Sequence, residues 1–491
     1  MKTFQKFEFL NLPPGEHTRL ACLVRRLVEQ IPWARGKIGA PPILDTRAAC
    51  APHFFNPLAV FWLICCASAL EASPLISLDG TGSDAITIRV SPRNASSISL
   101  LEVLDTKGTC LKTVHAGGFS NGQKFSVGKN HGLKPGDYRI RYREGVTLAL
   151  DAAVTLPHKE RWVNPTDIAI NSKGVYVLDR GIIEVPAVKS EDGTTTDAVP
   201  GLGSTYLYRF SRDGKPDTTF ADRGRMTVDE APTRVWSVAV DDEGIIYLPS
   251  QREHRVMVFS PTGDKTDQTI GGYEDNPNSN RNTTYISWIA LGPGKRIYLF
   301  FGDLVRVYDR TKNAFDGFLY TGNSAYSKIV DGRSIGGNQI TSDRQGAVYI
   351  ASEAHQLEKL LDDGKAIKPS YSFHAAPMCS PMGPSAAGGL VWVATHGPAT
   401  PYWDSGGAGE MVLFWDNGAE LVRVEAYGKA GKAADKLEFI NPCVAAQTPD
   451  HMELWVAEDG AANADGPPGN ARVRKFKITS AESEEVPFTL K

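Results

Sequence analysis

One short pattern recurs along most of this chain and limits what it can fold into. The segment 167-DIAINSKGVYVLD is matched by 237-SVAVDDEGIIYLP, 288-WIALGPGKRIYLF, 339-QITSDRQGAVYIA, 383-GPSAAGGLVWVA and 443-CVAAQTPDHMELWVA. Each copy is a short apolar strand, a turn usually containing Gly, and a second strand with an aromatic residue near its centre. A second strand-rich motif follows every copy: 205-TYLYRFSRDGK, 254-HRVMVFSPTGD, 304-LVRVYDRTKN, 356-QLEKLLDDGK, 410-EMVLFWDNGAE and 471-ARVRKFKITS. The copies start roughly 43 to 70 residues apart, which is the scale of a repeat architecture. Four short strands per repeat leave unpaired edges unless the repeats close radially. No helical periodicity competes over 160–491. The spacing therefore predicts an all-β chain with a six-bladed β-propeller over 160–491.

The stretch 74–157 has different spacing. Short β-rich runs (85-AITIRV, 97-SISLLEVLD, 124-KFSV) lead to 133-LKPGDYRIRYRE, where Tyr138, Ile140 and Tyr142 alternate. Strands divided by Gly, Asn and Asp turns predict a small β-sandwich. Over 1–72, a basic stretch precedes the apolar run 54-FFNPLAVFWLICCASAL and the small residues of 67-ASALEASP. That is the order of a secretory signal, so the protein is expected to be exported: periplasmic, cell-surface or extracellular. Asn56 and Pro57 make the run too short and too broken for a good membrane span. Signal removal leaves Cys110, Cys379 and Cys443, too few for a disulfide scaffold. The net charge of −3, without a basic field, points away from nucleic acid.

The runs 253-EHRVMVFSPTGD, with 240-VDDEGIIYLPSQ before it, and 164-NPTDIAINSKGVYVLDR resemble NHL-type blades. Likewise 134-KPGDYRIRYR is similar to a late strand of bacterial Ig-like modules. The first resemblance covers about 330 residues and implies a six-bladed propeller without fixing a function. Some relatives bind protein, sugar or nucleic acid. Others are amidating lyases, which hold zinc through histidines from separate blades, or lactone hydrolases, in which a cation polarises the carbonyl and a carboxylate acts as base. For the acidic residue those hydrolases carry near the first blade, only Glu160 or Asp167 is available here.

In such a blade the start of the first strand and the end of the second share one face, so a site is expected at that channel mouth. The residues placed there are Asp179, Arg180, Arg252, Asn338, Glu353, His396 and Glu458. Long connections at 181–203, 397–408 and 459–470 wall one side and bring Trp403 and Tyr402 as stacking surfaces. Asp179, Asp303, Glu353 and Glu458 form an oxygen-ligand set for a hard cation, calcium foremost, while zinc would need His396 or His355 with partners from other blades. No bound cofactor is expected otherwise. Against this, an acidic residue at a strand end, such as Asp179, also caps a turn or pairs with an adjacent arginine. His254 and His451 fall in turns or outer strands, away from the channel. Cys379 and Cys443 occupy nearly equivalent positions of neighbouring blades, as a disulfide or as two buried thiols. The last blade is expected to close with 485-EVPFTL, because 471–490 already supplies two strand-like runs; the other source is 147-TLALDAAV. The preferred reading is a non-catalytic binding or scaffold protein for a sugar polymer, peptide or protein partner. The alternative is a cation-dependent hydrolase or lyase.

Overall fold

The computed structural model describes residues 74–157, 161–185, 199–229, 235–250, 253–272, 286, 288–301, 304–321, 339–343, 346–352, 356–362, 369–374, 381–395, 409–439, 442–458 and 471–491, apart from 83, 431, 432 and 434. The basic stretch and signal segment lie outside these residues. Among the described residues the structure is almost entirely β, and no helix is long and apolar enough to cross a membrane.

Six antiparallel four-stranded sheets follow one another. The first contains Pro165–Asn171, Gly174–Val185, Val199–Phe210 and Arg225–Asp229; the second Ala239–Val240, Ile246–Ser250, Arg255–Phe259 and Lys265–Gly271; the third Trp288–Leu291, Arg296–Phe301, Leu304–Asp309 and Ala314–Thr321. The fourth contains Gln339–Ser342, Ala347–Ser352, Gln356–Leu361 and Pro369–His374; the fifth Pro381–Ala387, Leu390–Thr395, Glu410–Asp416 and Leu421–Tyr427. The sixth takes Pro442–Gln447, Glu453–Glu458 and Arg472–Thr479 from one end of the chain and Thr147–Val154 from the other. The first strand of each sheet touches the first strand of the next, and that of the sixth touches that of the first. This arrangement fits a β-propeller.

Local chemistry explains the repeat. In the turn after the first strand, Asn171, Asp241 and Asp343 accept backbone N–H bonds from Lys173, Ile245 and Ala347. Such turns need a residue that tolerates positive φ, and Gly244 (φ 89°) and Gly346 (φ 99°) supply it. The central aromatics of the second strands, Tyr176, Tyr247, Tyr298, Tyr349, Trp392 and Trp455, are all buried between sheets. Polar groups then link each sheet to the next. Ser237 donates to Asp167, Ile289 N–H to Ser237, Ser342 to the Leu291 carbonyl, Tyr349 to Asp416 and Gln447 N–H to Ser385. The Cys443 thiol, 3.1 Å from the Pro165 carbonyl oxygen, spans the junction of the sixth and first sheets.

Two further sheets share one core. Ile76–Thr81, Ala85–Val90 and Gln123–Gly128 form one; Glu482–Leu490, Gly136–Glu144, Ser99–Leu104 and Cys110–Gly117 form the other. Ile86, Ile88, Val127, Leu101, Ile140 and Phe488 meet between them.

Ring closure differs from the expectation. Residues 147–154, not 485–490, complete the sixth sheet, in register from Val473↔Val154 to Thr479↔Thr147. The C-terminal strand instead pairs with Gly136–Glu144, from Glu482↔Glu144 to Leu490↔Gly136. Charge and shape decide between two runs of equal β character. Asp151 meets Lys475 and Lys477, both at 2.9 Å, whereas Glu485 meets Arg139 and Glu482 meets Arg93. Phe488 and Leu490 bury themselves beside Val103 and Tyr142, while Leu148 packs with Phe476 and Ile478. A chain ending at Ala481 should therefore lose amide protection at 136–144 and keep it at 472–479 in hydrogen exchange. Loss confined to 472–479 would show that the C-terminal run closes the ring.

Candidate functional site

The six first strands enclose a channel of about 680 Å³. At one end its wall includes the starts of the first strands, among them Asp167, Trp288 and Gln339. At the other end it includes the turns that follow those strands, and there Thr109, Cys110 and Leu111 of the smaller sheets reach into the wall.

Asp167 is the most distinctive group in this wall. Its Oδ2 accepts from Ser237 Oγ at 2.6 Å and from Val238 N–H at 2.8 Å, and its Oδ1 accepts from Ile168 N–H at 2.8 Å. All three donors are neutral, and no Lys, Arg or His pairs with this carboxyl among the described residues. Burial pushes its pKa up to about 6, and the three hydrogen bonds only partly oppose that. Gln339, 3% exposed, lies in the same wall on the fourth sheet, and its Oε1 has no hydrogen-bond partner among the described residues. Gln447 Oε1, at the far end of the sixth sheet's first strand, is in the same condition. Buried polar atoms left this way are uncommon and call for an explanation.

The expected mouth residues are placed differently. Asp179 lies opposite Pro165 and is buried; its two oxygens accept from Val163 N–H at 3.1 Å and Asn164 N–H at 2.6 Å, tying the lead-in of the first strand to the end of the second. Arg180 is buried too, with its guanidinium 3.3 Å from the centre of the Trp236 ring, a cation–π contact. Glu458 occupies the matching position in the sixth sheet, opposite Pro442. Its oxygens are held by Arg472 at 2.9 Å and Arg474 at 2.6 Å. As cation ligands these two fit poorly: both oxygens of Asp179 already serve backbone amides, and a cation at Glu458 would lie beside two guanidinium groups. Arg252, Asp303, Asn338, Glu353, His396, Trp403 and Cys379 lie outside the described residues, and with them the proposed disulfide to Cys443.

The structure also assembles a cluster that sequence reasoning leaves unassembled. Glu102 and Cys110, from the smaller sheets, meet His451, from the turn after the sixth sheet's first strand, with ligand-type atoms all within 4.8 Å. Arg141 and Arg143 donate to Glu102 at 2.9 and 3.1 Å. Burial would raise the Glu102 pKa, but these two cations and His451 hold it well below the carboxylate range. His451 faces Glu102 through Nδ1 at 2.7 Å and the Ala387 carbonyl through Nε2 at 2.9 Å. Both partners accept only, so both ring nitrogens carry protons. Burial would lower its pKa, yet the neighbouring Cys110 and Glu102 raise it to about 9. In this protonation state the cluster is an ion-paired junction between the smaller sheets and the ring, and a metal there would have to displace a proton from His451. No local spacing reveals it, because Glu102 and His451 are 349 positions apart.

Two outcomes follow. The His451 pKa is raised on folding, so its stabilisation is complete below about pH 6.5 and is lost as pH rises through about 9. Stability should fall between pH 7 and 9.5 by an amount on the order of 3 kcal/mol, seen as a falling melting temperature, and His451→Gln should flatten that fall; an unchanged slope in the variant would remove His451 as its cause. Asp167 is raised as well, so above about pH 6 its charge destabilises the fold by roughly 3 kcal/mol. Asp167→Asn should raise the melting temperature more at pH 8 than at pH 4.5, and equal changes at both would contradict a buried charge.

No family model and no curated protein matches the chain. Among solved structures, a structural genomics protein of unknown function from Bacteroides thetaiotaomicron is similar over 84% of this chain and 99% of its own, at 12% identity and a TM-score of 0.42. A catalytically inactive virginiamycin B lyase from Staphylococcus aureus, solved with quinupristin, is similar over 68% and 99% respectively, at 12% identity and a TM-score of 0.37. Likenesses this distant carry nothing about substrate or reaction.

Proposed function

We propose that the six sheets are the blades of a six-bladed, NHL-type propeller in an exported protein, that the two smaller sheets form an Ig-like module, and that the protein is a non-catalytic binder whose ligand enters the channel. The cyclic contact of the six first strands supports the blade count. The binding reading rests on one observation: the wall of a channel of about 680 Å³ holds a carboxyl, Asp167, that among the described residues accepts from neutral donors and pairs with no cation. A void of this size suits the end of a sugar or peptide chain. The connections 181–203, 397–408 and 459–470 would then contact the remainder of a polymer or partner protein outside the mouth. A cation-dependent mechanism has weaker support, since Asp179 and Glu458 are committed to backbone amides and arginines.

One observation favours the hydrolase or lyase reading. A carboxyl with its pKa near 6 beside a cavity is suited to act as a general base. The two readings separate on a variant that fills the channel, Thr341→Trp, screened against glycan and peptide arrays beside a folding control. Binding by the native protein, lost in the variant with melting retained, is the expected result. Turnover of lactones or peptides by the native protein, abolished in Asp167→Asn, would replace the binding reading with the enzymatic one.

A further inference from the structure

We propose that the ligand group received at the strand-start end of the channel is a primary ammonium, held by Asp167. This inference rests on the channel being the ligand site and adds the chemistry of what it takes. Two of the other lining carboxylates have their charge answered from within the protein: Asp241 pairs with Arg310 and accepts from Tyr247, and Glu243 lies 3.9 Å from Lys295. Asp167 differs from them. Among the described residues its hydrogen bonds come only from a hydroxyl and two backbone amides, which orient a carboxylate without cancelling its charge. Asp167 is half-buried, and a carboxylate drawn partly out of water without a counter-charge is costly; a proton or a cation brought by a ligand relieves that cost. Three donors occupy three of the four lone-pair sites of its two oxygens, leaving one on Oδ1 for a ligand.

The rest of the wall favours the same chemistry. Gln339 Oε1 and Gln447 Oε1 are buried acceptors without donors among the described residues; Gln339 shares the strand-start end of the wall with Asp167, whereas Gln447 lies at the far end. Trp288 is in the wall as well and offers an aromatic surface suited to a cation or its alkyl stem. A compact ammonium suits this void better than a guanidinium, whose planar fork is matched to a carboxylate open on both oxygens.

Titration calorimetry with butylammonium chloride, and with butanol as its neutral counterpart, tests this on the full chain. The native protein should bind butylammonium and not butanol. Asp167→Asn should weaken that binding at least about tenfold, as loss of a charged hydrogen bond requires. Asp167→Ser should weaken it to a similar extent and serves as the second variant if Asp167→Asn does not fold. Equal binding of butanol, or unchanged butylammonium affinity in both variants, would overturn the proposal. Adding the amide of N-acetyl-lysine distinguishes a free amine from a lysine side chain as the source of the ammonium. If a neutral glycan binds in the channel and butylammonium does not, the ammonium inference fails while the binding reading stands. If no glycan, peptide or amine binds, both fail.

Discussion

A ring of sheets has one seam where the chain must meet itself, and here the seam is a ladder of backbone hydrogen bonds between residues more than 300 positions apart. Val473 to Thr479 pair with Val154 to Thr147, and the partners of that ladder are chosen by Asp151 between two lysines and by Leu148 against Phe476 and Ile478. The channel depends on this. Each first strand is held by its neighbours through single polar links such as Ser237 to Asp167 and Gln447 to Ser385, and those links hold only while the circle is closed. Backbone pairing at the seam thus sets the position of side chains in a cavity that the seam never touches.

Much of the strand framework was readable in the sequence, because strand, Gly turn and central aromatic repeat with a fixed logic. The turn carboxamides and carboxylates at Asn171, Asp241 and Asp343 and the buried rings from Tyr176 to Trp455 follow from that local code. The partner of an outer strand was not readable. Residues 147–154 and 485–490 carry the same alternation, and only their charged neighbours in space separate them. His451 was legible as a turn residue, but its partner Glu102 lies in another part of the chain. Asp179 and Glu458 show the same limit: their position at the strand end could be derived, while the amides and arginines that occupy them could not.

Asp167 was visible only as an acidic residue near the first strand. What marks it is that no cation among the described residues pairs with it, and a sequence does not display absences in space. Stability and binding pull against each other at this position: the same burial that makes the carboxylate costly in the empty protein makes it attractive to a cation.

The exchange of end strands also orders events in time. While the chain is being synthesised, the smaller sheets keep an open edge along 136–144, and 147–154 waits beside it with no partner, until almost all the ring has emerged. Residues 472–490 then satisfy both edges within one short stretch, passing from one ladder to the other through Ser480 and Ala481. A nascent chain of this topology carries one open sheet edge and one unpaired strand from the synthesis of residue 154 until residues 472–490 are made, so the burden of preventing mispairing falls on that interval.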